Sequence, residues 1–239
     1  MNRFIVAGIV ACVAFTMTFA ADAPPKSLNS LTDAEKQAGW KLLFDGHTTD
    51  GWRGLGMDHF PKDLWEIKDG CLHCAGGAKG NDLIAVDKYD NFDLTFEWMI
   101  PKLSGNSGVK YRVQETKGNG GAYGCEYQCM YDPGVEGKDA TASLYDVFPP
   151  VGKKLQPQGE FNQSRILVQG NHVEHWLNGM KVVDYEFGSD AFKAAVAKSK
   201  FKNSKVWAKE PLGYIALQYH HDEVFFRNLK IRQLKAEAK

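Results

Sequence analysis

"NFDLTFEWMI", residues 91–100, decides the fold class. Phe92, Leu94, Phe96 and Trp98 fall on one side of an extended chain, and Asp93, Thr95, Glu97 and Met99 on the other. A period of two is the mark of a strand with one face in a core and one face wet. The same reading extends outward in both directions. In "NSGVKYRV" (106–113), Val109, Tyr111 and Val113 oppose Asn106, Lys110 and Arg112. In "GCEYQCMYD" (124–132), Cys125, Tyr127 and Cys129 oppose Glu126 and Gln128. In "GYIALQYH" (213–220), Ile215, Leu217 and Tyr219 oppose Gln218 and His220. Further strand-like runs are "WKLLFDG", "SRILVQG", "HVEHWLNG" and "EVFFRNLKIRQL", separated by Gly, Asn, Asp and Pro. Asn178-Gly179 in "LNGMKVV" is a hairpin turn. Helix signals are few. Thr32 with Glu35 forms a capping box that predicts a short helix from Asp33, and "SDAFKAAVAKSKF" (189–201) predicts a second behind a Ser189 cap. Many strands, frequent turns and little helix predict an all-β sandwich of two antiparallel sheets.

The first 20 residues, "MNRFIVAGIVACVAFTMTFA", combine Arg3, an apolar run and small residues near Ala20–Ala23. They read as a secretory signal peptide, which predicts a periplasmic or secreted protein. The competing reading is an outer-membrane lipoprotein anchored through Cys12 in "IVAC". Residues 21–37 form an N-terminal segment with the short helix, and 38–235 a single domain. The formal charge of the chain is +0, and the leader carries only Arg3. Such a balance gives no reason to expect nucleic acid or an anionic membrane as partner.

Cys71, Cys74, Cys125 and Cys129 remain beyond the leader. In an exported chain they are disulfide candidates. Cys125 and Cys129 on one strand lie about 13 Å apart, beyond the roughly 7 Å that a disulfide spans. If bonded, they reach elsewhere, with the 71–74 region as one option. A four-cysteine zinc site is the alternative.

The outward set is Glu97, Lys110, Arg112, Glu126, Gln128, Gln218 and His220. If their strands adjoin, these side chains form one patch of acids, bases, amides and an imidazole. Trp176 shares parity with Glu174 and Asn178, and a ring on a polar face suits stacking on a sugar. Solvated sheet faces carry such residues without function, but amide pairs with Arg and His in strand centres are unusual there. His175 has core parity and reads as a hydrogen-bonded interior histidine. His47, His59 and His172 fall in turns, His221 at the core side or in a turn, and Arg227 reads as an ion-pair residue. His73, between two cysteines, has no assignment.

The ordered motifs "GWKLLFDGHTTDGW", "WEIKDGCL", "NFDLTFEW", "GNSGVKYR", "YGCEYQCMYD", "SLYD", "GEFNQSRILVQGNHVEHWLNG" and "GYIALQYHHDEVFFRNLKI" resemble the 3-keto-disaccharide hydrolase family, a 3-keto-glucoside hydrolase/lyase-like domain. The resemblance covers roughly residues 38–234. It implies a concanavalin/laminin-type jelly-roll sandwich with its ligand on the concave sheet, and cleavage of glycosides oxidised at carbon 3. The cysteines and "TASLYD" depart from the family pattern. On that reading a ketone at carbon 3 acidifies the carbon 2 proton, so the site needs a base and groups that stabilise an enolate. His220 is the expected base, with Glu126 as the alternative or as a metal ligand. Arg112 and Lys110 are expected at the oxyanion. Tyr145 is expected to protonate the leaving oxygen. Asn106, Ser107, Gln128, Trp176 and Gln218 are expected to hold sugar. The resemblance fixes no cofactor; a divalent metal on Glu126, Gln128 and His220 is an option. Two other readings stand: a lectin-like carbohydrate-binding module, and a conventional endo-glucanase using Glu97 and Glu126 as its carboxylate pair.

Overall fold

The computed structural model describes residues 27–77, 79–115 and 122–235; the expected leader and the Cys12 anchor lie outside them. In chain order the elements are α1 (Asp33–Gln37), β1 (Trp40–Leu42), β2 (Trp52–Gly54), β3 (Trp65–Lys68), β4 (Cys71–Cys74), β5 (Leu83–Tyr89), β6 (Phe92–Met99), β7 (Asn106–Glu115), β8 (Ala122–Met130), β9 (Asn162–Gln169), β10 (His172–Leu177), β11 (Met180–Glu186), α2 (Asp190–Ala197), β12 (Gly213–Leu217) and β13 (Val224–Gln233). Among the described residues no helix is long and apolar enough to cross a membrane.

The strands form two antiparallel sheets. One runs β11-β10-β9-β6-β13-β4-β3, with β1 added on β13; the other runs β2-β5-β12-β7-β8. Their inner faces enclose one large cluster that includes Trp65, Phe92, Phe96 and Trp98 from the first sheet and Val109, Tyr111, Tyr127 and Leu217 from the second. The alternation in 92–99 is therefore real, and it is driven by burial of these rings, at ~25 cal/mol per Å² of apolar surface removed from water.

The local signals hold at both helices. Thr32 Oγ1 accepts from Glu35 N at 3.2 Å, and Glu35 Oε2 accepts from Thr32 N at 2.8 Å. Ser189 caps α2, but that helix stops at Ala197, short of the expected 201. The Ser199 hydroxyl donates back to Val196 O and accepts from Phe201 N, so this side chain competes for the helical backbone groups. Asn178 and Gly179 both have positive φ (48° and 81°), as a tight two-residue hairpin between β10 and β11 demands.

β7 departs from simple alternation. Its register with β8 slips between Tyr111 and Gln114 at Arg112, which has φ 53°. This bulge places two residues where one belongs and reverses the parity behind it. Val113, expected in the main core with Tyr111, instead joins Leu55, Ile84 and Ala216 in a small separate cluster. Cys71, Cys74, Cys125 and Cys129 are all free and buried, on β4 and β8 of different sheets. Neither the expected disulfide nor the four-cysteine zinc site forms.

Candidate active site on the outer face of the five-stranded sheet

The β7–β8 pairing brings the polar side chains together. Lys110 lies opposite Glu126, Gly108 opposite Gln128, and Asn106 opposite Met130. Opposite residues share a face, so Lys110, Glu126, Gln128 and Asn106 all project away from the core. Beyond β12, Gln218 N donates to Gly108 O at 2.8 Å, which sets the Gln218 side chain on the same face. Gln218 Nε2 then donates to Glu126 Oε2 at 3.1 Å. Gly108 makes the room for this: a Cβ there would lie 3.0 Å from Glu126 Cγ and Oε1.

The far edge of β8 is closed by chain rather than by a named strand. Ala142 N donates to Gln128 O at 2.8 Å and Tyr145 N to Glu126 O at 3.0 Å, while Leu144 pairs with Tyr127 and packs inward. Ser143 and Tyr145, on either side of Leu144, thereby border Glu126 and Gln128. Buried Asp132 anchors this segment, accepting from Thr141 N at 3.0 Å and from Lys153 Nζ at 2.6 Å.

The electrostatics follow from this cover. Glu126 is only 9% exposed. Burial pushes its carboxyl above the ordinary value, against the pull of the Lys110 and Lys200 ammonium groups. Lys110 is itself bound to Asp82 at 2.8 Å, and Asp82 Oδ1 accepts from Tyr219 N at 2.9 Å. Burial and the neighbouring Asp139, Glu126 and Asp146 push the Tyr145 phenol up, so it keeps its proton. The Lys200 ammonium stands 4.1 Å from the centre of that ring. His220 is exposed at the rim. Burial pushes neighbouring Asp222 up, but Lys102, the Asn106 amide and His220 outweigh it and hold it low.

The distinguishing feature is what lacks a partner. Gln128 Oε1 and Nε2, Gln218 Oε1, Asn106 Oδ1 and Ser143 Oγ are all buried with no hydrogen-bond partner. An orphaned buried polar atom costs about 1–3 kcal/mol, and all five atoms belong to residues of this face or of the segment along its β8 edge. Glu126 and Gln128 are also the oxygen ligands that a divalent ion would find here. Among the described residues the acidic–imidazole cluster tight enough for an ion lies elsewhere, at His172, Glu174 and Asp184. There the Lys181 ammonium already bridges Glu174 and Asp184.

Several expected site residues are elsewhere. Arg112, 5% exposed, donates from a terminal nitrogen to Gly170 O at 2.8 Å and stacks 3.8 Å from the Phe187 ring centre. The bulge turns it to the end of the sandwich, away from Glu126. Ser107 faces inward, and its hydroxyl donates to Gln218 O at 2.8 Å. Trp176 is on the outer face of the eight-stranded sheet, where its Nε1 donates to Glu174 at 2.7 Å. Glu97 is on that sheet too, bound to Arg227 at 2.8 Å, as expected for an ion-pair arginine. Glu97 and Glu126 therefore stand on opposite outsides of two layers that pack ~10 Å apart. They cannot flank one glycosidic bond, for which carboxylates stand within about 9.5 Å. His175 is interior as expected: Nδ1 donates to Ala142 O at 3.0 Å and Nε2 accepts from Tyr111, with burial lowering its pKa to about 4. Lys200, Asp82 and Ser143 were not anticipated. Asp82 and Ser143 come from loops with no periodicity, and Lys200 from the end of a stretch that reads as helix but leaves it after Ala197; only the fold brings them to this face.

Comparison with known proteins gives this face a context. A "3-keto-disaccharide hydrolase" of Bacteroides thetaiotaomicron is 35% identical, over 87% of this chain and 82% of that protein. The crystal structure of a candidate glycosyl hydrolase from Parabacteroides distasonis superposes with a TM-score of 0.79 at 31% identity, covering 87% of this chain and all of that one. The β-glucanase of Bacillus licheniformis superposes at 0.50 with 8% identity, covering 82% and 97%, a likeness of jelly-roll fold alone. The profile of the 3-keto-alpha-glucoside-1,2-lyase-like domain matches residues 39–232, and the chain belongs to that family.

Proposed function

We propose that this protein cleaves the glycosidic bond of a 3-keto-glycoside lying across the outer face of the five-stranded sheet. The observation that carries the reading is the ring of unpartnered buried amide and hydroxyl atoms around one buried, proton-hungry carboxylate. The relatives' names support the substrate class. Sugar hydroxyls supply the donors and acceptors that Gln128, Gln218, Asn106 and Ser143 lack.

The reaction runs as an elimination followed by hydration. Glu126, whose carboxyl burial pushes above the ordinary value and so makes a stronger base, takes the carbon 2 proton. The electron pair moves into an enolate at carbon 3, then returns to expel the glycosidic oxygen from carbon 1, leaving an enone. The expelled oxygen takes a proton, with the Tyr145 phenol as donor. Water adds at carbon 1 and carbon 2 is reprotonated, giving the 3-keto sugar. The Lys110 and Lys200 ammonium groups favour negative charge on this face. Exposed His220 is the second candidate for moving a proton at the rim. The leader-like residues 1–20 support export to the periplasm or beyond.

Incubation with a 3-keto-disaccharide and with its unoxidised parent is the test. Release of the 3-keto monosaccharide from the first alone upholds the reading. Binding without release makes the protein a lectin-like module, for which the same amides would serve. Cleavage of the unoxidised sugar makes it a conventional glucanase.

A further inference from the structure

Residues 198–209 read "KSKFKNSKVWAK": five lysines and no acid, in a chain whose formal charge is +0. All five lysines are exposed. Rings hold this segment in place. Tyr185, Phe192, Trp207 and Phe201 lie nearly parallel, with successive ring centres 5.7, 6.1 and 4.2 Å apart and interplanar angles of 9°, 7° and 8°. Tyr185 and Trp207 are buried, so the stack runs from the core to the residue beside Lys200. The Lys200 backbone N–H donates to Asp146 Oδ2 at 2.5 Å, which ties Lys200 to the residue after Tyr145.

The neighbouring cations are already taken: Lys110 is bound to Asp82, and Lys138 to Asp146. Among the described residues Lys200 has no carboxylate within ion-pair distance. Its ammonium stands 4.1 Å from the Tyr145 ring centre and 5.2 Å from that of Phe201. It is near enough to act on Glu126, which in turn acts on Tyr145. On the activity proposed above, Tyr145 meets the leaving oxygen, so the aglycone departs past Lys200. Resting on that activity, we infer that Lys200 selects a glycoside whose aglycone carries an anionic group, and that the other lysines of the segment draw such substrates in. An ammonium is a compact charge with donors and no acceptor, so an anion is its strongest guest, and a cluster of one sign raises the local concentration of the other. Exposed Asp139, which also acts on Tyr145, works against such a guest.

The experiment uses the 3-keto-glucosides of 4-hydroxybenzoate and 4-hydroxybenzamide, which differ in charge and hardly in shape. The ratio of their kcat/KM values, carboxylate over amide, is measured for the full chain and for K200M, K200E, D139N and K41M, the last on the other sheet. The ratio cancels any loss common to both substrates, including one that reaches the reaction through Glu126. It should fall about fivefold in K200M, the upper range for one exposed ion pair, and further in K200E. It should rise about twofold in D139N and hold in K41M. Salt at about 0.5 M should lower the wild-type ratio toward that of K200M. A ratio that K200M leaves in place, because both substrates lose equally or not at all, overturns the assignment and leaves the activity standing. So does a wild type that cleaves a 3-keto-disaccharide but neither aryl glucoside. A wild type that cleaves none of the three removes the activity, and the assignment with it.

Discussion

The two outer faces of this sandwich carry similar residue types and behave oppositely. On the eight-stranded sheet charges meet charges: Asp93 receives Arg165 at 2.6 Å and Arg232 at 2.9 Å, Glu97 receives Arg227 and Asn228, and Glu174 receives Trp176 and Lys181. On the five-stranded sheet Glu126 has one amide donor, and the amides around it wait for partners. The eight-stranded face leaves one buried side-chain atom unpartnered among the described residues, Arg232 Nε, and a face so nearly satisfied stabilises a fold. A face that leaves five buried atoms unmet gives up stability and leaves donors and acceptors open. The difference lies in partners rather than in composition.

The strongest way to break this comparison is at the two carboxylates. Glu126→Gln should lower kcat/KM on the 3-keto-disaccharide by about a thousandfold, within the range for loss of a general base. Glu97→Gln should leave it within about twofold. Equal losses would end the distinction between the faces. The pH dependence sharpens it. Glu126 titrates above its unfolded value because of burial, so the base form, and with it kcat/KM, should appear only above the ordinary carboxylate range, and Glu126→Gln should abolish that acid limb. The same shift means that the folded protein holds this proton more tightly than the unfolded chain. Glu126 therefore favours folding below the unfolded carboxyl pKa, and that contribution is lost as pH rises through the folded value. Thermal unfolding at pH 7–8 should show Glu126→Gln more stable than wild type, and less stable would contradict the burial account.

Asp93→Ala should cost about 2–3 kcal/mol, because it strands Arg165 and Arg232. Denaturant unfolding reads this loss, while kcat of the folded fraction should hold. Gly108→Ala should reduce kcat/KM about tenfold by pushing Glu126 from its place 3.0 Å away, with a smaller change in stability. The smallest effect belongs to Trp176→Ala, which should leave KM for the sugar unchanged. A rise of several-fold would return the tryptophan to the site.

Much of the fold was legible because burial writes itself into alternation. Phe92, Leu94, Phe96 and Trp98 announced their strand, Thr32 and Ser189 their helices, and Asn178-Gly179 its turn. The site was legible in part. Glu126, Gln128, Gln218 and Lys110 were read as part of one outward set and do gather, and Asn106, read as outward on its own strand, lies on the same face. Trp176 and Glu97 were read into the same patch and belong to the other sheet. Arg112 was read as outward and is turned end-on by the bulge it occupies.

The sequence by itself determined which side of each strand meets oil and which meets water, since a period of two is a local consequence of pleating. It also carried the order of motifs that identifies the family. Only the tertiary structure decided which of two outsides a polar residue joins, because sheet membership depends on pairings between strands far apart in the chain. The placement of Lys200, Ser143 and Asp82 around Glu126, and the slip at Arg112, were settled at that level for the same reason: non-local packing fixes them, and no local period encodes it.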